Sequence, residues 1–320
     1  MTRYRIAFAL ALLTLLLTFC LITLGGIVHN TGSSLACPDW PLCYGQLMPE
    51  MTGGVLYEHS HRLLGALVGL CAIGLVIFCW RAVPGFRSIR PLAIVLLAII
   101  IFQGILGGLT VIFKLPTAIS TAHLAVSMIV LLLIVRLAHG AWLRGWRAAP
   151  DLSPTPYEPA AAAPVRRTLH ITLALVYIQI VLGAFVRHSG AWAAAGQGAA
   201  ASLLPKDSRT GATVFWPSDG WGQFNTFHRY FAFIVAALVI FACYQAFRRL
   251  ARSSTVHRGI LFWLPAALVL FQILLGIGMI AMFFATPMRT AHLAVAAALL
   301  ALLYHIFILI THSSRAHRAG

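Results

Sequence analysis

Acidic residues are scarce in this chain. Seven Asp and Glu stand against 23 Lys and Arg in 320 residues, and charged residues of both signs make up only 9%. That poverty excludes a soluble globular domain, whose water-facing surface needs many charges. Cysteine is sparse too, with six in all. Cys20, Cys71, Cys79 and Cys243 sit in apolar runs and read as packing residues. Only Cys37 and Cys43 share a loop, which counts against a thiol–disulfide relay needing a second reactive pair. Gly/Pro-broken helices of the kind that build transporter sites are also missing.

What remains is apolar. Hydrophobic residues make up 60% of the chain. Runs long enough to cross a bilayer, about 20 residues, occur near 6–28, 60–80, 91–113, 117–139, 168–187, 227–247, 259–283 and 288–311. No small-residue cleavage site follows the first run and no Arg- and Ser-rich transit peptide is present. The first run is therefore expected to be a retained helix, in a bacterial protein.

The net charge of +16 could suggest nucleic acid, but its placement argues otherwise. With the N-terminus inside and connections alternating, 16 of the 23 basic residues fall inside, Arg5, Arg147, Arg248 and Arg249 among them. Asp39, Glu50, Glu58, Asp207 and Asp219 fall outside. The positive-inside bias places both termini in the cytoplasm of an inner-membrane protein.

The sequence repeats itself. "FQGILGG" at 102–108 returns as "FQILLGI" at 271–277, each followed by "TAHLAV", at 121–126 and 290–295. "HRLLGALVG" at 61–69 pairs with "HRYFAFIVA" at 228–236, and "LGGIVHNTG" at 24–32 with "LGAFVRHSG" at 182–190. Matched order over four runs predicts an all-α membrane fold of eight helices in two tandem, pseudo-symmetric four-helix bundles. The expected halves are 1–147 and 167–320, joined by a Pro/Ala-rich cytoplasmic linker at 148–166.

Two histidines per half recur, His61 with His123 and His228 with His292. An intramembrane histidine needs a partner, and a helix–helix hydrogen bond would satisfy one alone. Two matched couples point to ligation. No Cys, Asp or Glu completes a zinc or copper set at the second couple, whereas bis-imidazole haem needs only two protein ligands. Gly104, Gly107, Gly108, Gly276 and Gly278 would let a flat macrocycle lie against backbone. Arg62, Arg229 and Arg289 suit its propionates, although snorkelling to headgroups accounts for them equally.

The halves differ at two places. Glu58 precedes His61 by three residues, one helix face away, where Asn225 precedes His228. A carboxylate there could move protons or stabilise positive charge; a solvated acid at the membrane edge is the plain alternative. "CPDWPLC" occurs only in the first half, and a Cys37–Cys43 disulfide is plausible on the oxidising side, as a staple or as a redox pair.

Taken together, "TGSSLACPDWPLCYGQLMP", "EHSHRLLG", "FQGILGGLTV", "FHRY" and the two "TAHLAV" copies resemble the haem A synthase family of cytochrome oxidase assembly, over nearly the whole chain. The resemblance implies an oxidoreductase that converts the C8 methyl of haem O to a formyl group by successive hydroxylations. It implies substrate-haem ligands His61 and His123, haem b ligands His228 and His292, an essential Glu58, and Cys37 with Cys43 as the first-loop pair. It leaves haem O synthase, oxidase assembly factors, an electron-transfer partner and a second copy of the chain as candidate partners. A second-half loop cysteine pair, present in some members, is missing here, and His29 stands where Arg is more usual. A non-catalytic di-haem cytochrome carrying electrons from quinol is the competing reading.

Overall fold

A computed structural model describes residues 2–81, 89–146, 157–192, 204–205, 207, 210–250, 256–282 and 285–316. Among them are eight helices and no strand: α1 (Thr2–Asn30), α2 (Gly53–Arg81), α3 (Arg90–Ile112), α4 (Thr117–Trp146), α5 (Pro159–His188), α6 (Gly220–Leu250), α7 (Val256–Ala281) and α8 (Thr286–Ala316). The shortest, α3, has 23 residues. At 1.5 Å per residue it spans about 34 Å, more than a hydrocarbon core of about 30 Å. All eight are long and apolar enough to cross a membrane, so this is a multi-pass membrane protein. Leu70, Leu16 and Ile77 lie exposed on helix surfaces, as lipid-facing side chains do.

The helices outrun the apolar segments that announce them. The run at 60–80 belongs to a helix starting at Gly53, and that at 227–247 to one starting at Gly220. Each gains the same seven residues, and these carry the polar groups discussed below. α5 begins at Pro159, inside the expected linker; proline is tolerated in a first turn because that N–H has no helical partner. The alanine run behind it favours helix. The rest of the linker, 148–156, lies outside the described residues.

By contacts the chain falls into two units. The first holds residues 1–115, 126–157 and 304–320, the second 116–125 and 158–303. Within the first, α1 packs on α2 and α2 on α3; within the second, α5 packs on α6 and α6 on α7. The first three helices of each half thus pack in the same order. In the first unit Ala7, Ala11, Ala93, Ala138 and Ala141 bring α1, α3 and α4 close around Leu75, Leu96 and Ile134. Small residues permit such approach, which dispersion then rewards. Cys79 lies in this core, as a packing residue should. Ala93→Leu would overfill it and should cost about 1–3 kcal/mol, read as a lowered melting temperature in detergent.

Candidate functional site

The loop after α1 is built around its own polar groups. Cys37 and Cys43 form a disulfide with Cα atoms 4.8 Å apart, and both are buried. Cys43 and Gln46 exchange backbone hydrogen bonds of 3.1 and 3.0 Å. Between them Tyr44 and Gly45 turn the chain with φ of 53° and 70°. The Asp39 carboxylate accepts from the amides of Tyr44 (2.6 Å) and Gly45 (2.8 Å). Trp40 lies flat on α3: a Cβ on Gly108 would come within 2.7 Å of its ring. Gly108 therefore seats an indole of the loop.

This loop is clamped to α2 by two residues one turn apart. Glu58 is only 4% exposed, not a solvated acid at a membrane edge. Its Oε2 accepts from the Cys37 amide at 2.8 Å, and its Oε1 pairs with Arg62 Nη2 at 2.6 Å. Arg62 also donates to the carbonyls of Asp39 (2.7 Å), Cys37 (3.2 Å) and Leu42. A guanidinium supplies five donors in a planar fork, and here that fork gathers three carbonyls and a carboxylate. His59, also buried, meets the Leu47 carbonyl at 2.9 Å through Nε2. A carbonyl can only accept, so Nε2 carries the proton. An imidazole nitrogen of His59 and both sulfurs lie within 4.8 Å of one another. With the sulfurs bonded to each other, that group is a packed staple.

The same register recurs in the second unit with different chemistry. His61 and His228 each stand eight residues beyond the first residue of their helix, and His123 and His292 six. Asn225 occupies the place of Glu58, and its Nδ2 donates to the Ala191 carbonyl at 3.2 Å. Both residues tie the preceding connection to the helix, one through a backbone N–H and the other through a C=O. Arg229 occupies the place of Arg62, but its Nη1 is buried without a hydrogen-bond partner among the described residues. That leaves it a donor for an anion.

Three of the four rings meet a glycine of the neighbouring helix. A Cβ on Gly25 of α1 would lie 2.9 Å from His61 Cε1, and one on Gly183 of α5 2.8 Å from His228 Cε1. Gly276 of α7 faces His292 less tightly, at 3.5 Å from Cε1, an ordinary contact distance. Of the glycines expected to face a macrocycle, Gly276 faces a ligating candidate, Gly108 faces Trp40, Gly278 faces Met288, and Gly104 has nothing within 4 Å. Gly25 and Gly183 were legible only as matched letters in "LGG" and "LGA". Their use appears once the rings are placed.

In the second unit His228 and His292 come near enough to interact electrostatically, with Arg229 acting on His228 as well. The Nδ1 atoms of both histidines are buried without hydrogen-bond partners among the described residues. Arg187, at the end of α5, lies within electrostatic reach of Arg289 on α8, and Arg289 Nη2 donates to Thr286 Oγ1 at 3.2 Å. Sequence reading missed Arg187. The signal was its position in "VRHSG", opposite His29 of "VHNTG". Paired imidazoles between bundle helices, glycine seats and a set of arginines suit an iron porphyrin with two propionates. His61 lies in the first unit and His123 in the second, and each is described within its own.

A second histidine group lies apart from these. His139 of α4 is buried, stacked on His312 and edge-on to His305 of α8, with ring centroids 5.2 Å away in each case. Arg136 Nη2 is 3.4 Å from His312 Nε2. None of these three histidines has a counterpart in the repeat.

Two predictions follow from the clamp. Arg62→Leu would strand the buried Glu58 carboxylate and three carbonyls. Breaking such a pair should cost about 3–5 kcal/mol, seen as a lower melting temperature and faster proteolysis between residues 31 and 52. Asp39 is outside the spans, and the Gly45 amide, helped by Tyr44 and Arg62 against opposing desolvation, holds its pKa below the ordinary 3.8. A lowered carboxyl pKa stabilises the fold above 3.8, and that stabilisation is lost as pH falls through the lowered value. Exchange protection of the Tyr44 and Gly45 amides should therefore persist at neutral pH and fall only in stronger acid, with that pH dependence removed in Asp39→Asn.

Comparison with known proteins agrees with this architecture. The chain is 27% identical over 274 residues to a heme A synthase of Bacillus pumilus (strain SAFR-032), covering 82% of each protein. It is 28% identical over 270 residues to a heme A synthase of Staphylococcus aureus (strain bovine RF122 / ET3-1), covering 82% of this chain and 81% of the relative. The family model of COX15-CtaA, cytochrome oxidase assembly protein, matches residues 8–304. With nearly the whole chain matched, from within α1 to within α8, the protein belongs to the COX15-CtaA family of cytochrome oxidase assembly proteins.

Proposed function

We propose that this protein is a haem A synthase of a bacterial cytoplasmic membrane, with both termini in the cytoplasm. It would convert the C8 methyl of haem O through an alcohol and a geminal diol, which loses water to leave the formyl group of haem A. The observation that carries this reading is the His228–His292 couple. Both rings sit on glycine seats, both Nδ1 atoms are buried and unpartnered among the described residues, and Arg229 has a buried donor to offer. That set fits haem b. The relatives' names supply the reaction, and His61 with His123 are assigned to the substrate haem on family resemblance.

Haem iron, held by these histidines, would supply the redox chemistry that side chains lack. The chain's own part is to hold and orient. Glycines 183 and 276 fix the planes of the two rings, and Arg229 with Arg187 and Arg289 would meet carboxylates. Glu58 stands three residues before His61 with both oxygens engaged, by Arg62 and by the Cys37 amide. We assign it as a fixed carboxylate beside the substrate, held in place by the disulfide-closed loop. The same engagement favours the competing di-haem carrier to one extent, since a purely structural Glu58 would look alike.

Co-expression with a haem O synthase separates the two. Extracted haem should contain haem A or its hydroxylated intermediate by mass, and Glu58→Ala should leave haem O largely unconverted, with conversion reduced at least tenfold, in the ~10²–10⁴ range of positioned acid–base or electrostatic groups at most. Unchanged haem O in the wild type, with two ordinary haems b, would establish the carrier instead.

A further inference from the structure

Two of the odd-numbered helices carry a glutamine four residues before the glycine that meets a histidine ring: Gln179 before Gly183 in α5 and Gln272 before Gly276 in α7. In α1 the same place holds Leu21. One turn separates residues four apart on a helix face, so the glutamine lies just beside the ring that the glycine admits.

The two glutamines of the second unit are used alike. Gln179 Nε2 donates to the His228 carbonyl at 2.9 Å, and Gln272 Nε2 to the His292 carbonyl at 2.8 Å. Each amide thus grips the main chain of a ligand candidate. Its other end is idle: Oε1 of Gln179 and Oε1 of Gln272 are buried without hydrogen-bond partners among the described residues, as are Nδ1 of His228 and Nδ1 of His292. Buried polar atoms are seldom left so. Here each unmatched acceptor belongs to the very residue already bonded to a histidine with an unmatched Nδ1, once at His228 and once at His292, where the Gln272 main chain also acts on the ring.

We propose that Gln179 and Gln272 are the positioning residues of the two axial imidazoles, each taking the Nδ1–H proton on its Oε1 while its Nε2 holds the histidine's carbonyl. This rests on the haem b assignment above. An imidazole committed to iron through Nε2 must carry its proton on Nδ1, and an acceptor for that proton fixes ring orientation and raises ligand basicity. A more basic ligand set stabilises the ferric state and lowers the reduction potential. The amides would thereby set the potential of the haem in this half.

The test uses the full-length protein purified with its haem in detergent. Gln179→Leu and Gln272→Leu remove both ends of the amide. Gln179→Glu and Gln272→Glu remove the donor to the carbonyl but keep an acceptor for Nδ1–H. Redox titration and the low-spin electron paramagnetic resonance spectrum are read for each, together with haem retention. The Leu variants should raise the midpoint potential, shift the g values and lose haem about 10–100 times more readily, the range for residues that orient metal ligands. The Glu variants should lower the potential. A potential and spectrum unmoved in the Leu variants, or Glu variants that behave like Leu, would reduce the amides to main-chain clamps and overturn the proposal. Should a Leu variant not fold, its Glu counterpart still decides by the sign of its shift. A wild type with no haem on His228 and His292 would overturn the haem b assignment itself, a result distinct from a bound haem indifferent to the variants.

Discussion

An imidazole cannot enter the space between two helices at ordinary packing distance unless the facing helix gives up a side chain there. Helix axes pack 8–10 Å apart, and a ring edge within 3 Å of where a Cβ would be leaves room for glycine alone. Gly25 and Gly183 meet that requirement for His61 and His228. Much else follows from it. The seat fixes which face of α2 and α6 turns inward, and so where Glu58, Arg62, Asn225 and Arg229 point.

Most of the architecture was legible because bilayers impose it. Eight apolar runs became eight helices, since backbone groups in hydrocarbon must be satisfied within the segment. The histidine couples were visible as repeats, and His228 and His292 lie in one unit within electrostatic reach of each other. What escaped reading was whatever depends on backbone atoms as partners. For Glu58 a solvated loop acid stood as the alternative reading because the apolar run begins at 60, while the helix begins at Gly53. Arg62 looked like a propionate contact, yet its guanidinium meets three loop carbonyls, which have no letter in a sequence. Gly108 was read as macrocycle space and is occupied by Trp40. Gln179 and Gln272 were visible as polar residues in apolar runs, but their spacing to glycine gains meaning only once the rings are in place.

The two units share a plan and divide its labour. In the first, a disulfide-closed loop is held down by an ion pair whose arginine also meets three loop carbonyls. In the second, the corresponding arginine keeps a buried donor without a partner among the described residues, and a neutral amide does the tethering. A duplicated scaffold has thus kept its seats and histidines and altered the polar groups one turn away.

The matched tethers at 58 and 225 have a consequence for how such a duplication can drift. Glu58 answers a main-chain donor, the Cys37 amide, whereas Asn225 answers a main-chain acceptor, the Ala191 carbonyl. A carboxylate at 225 would confront a carbonyl oxygen, lone pair to lone pair. An asparagine at 58 would forfeit the charge that answers Arg62. Neither half can therefore be converted into the other by exchanging a single letter. Once the two connections had settled into opposite polarities, their divergence became a one-way ratchet.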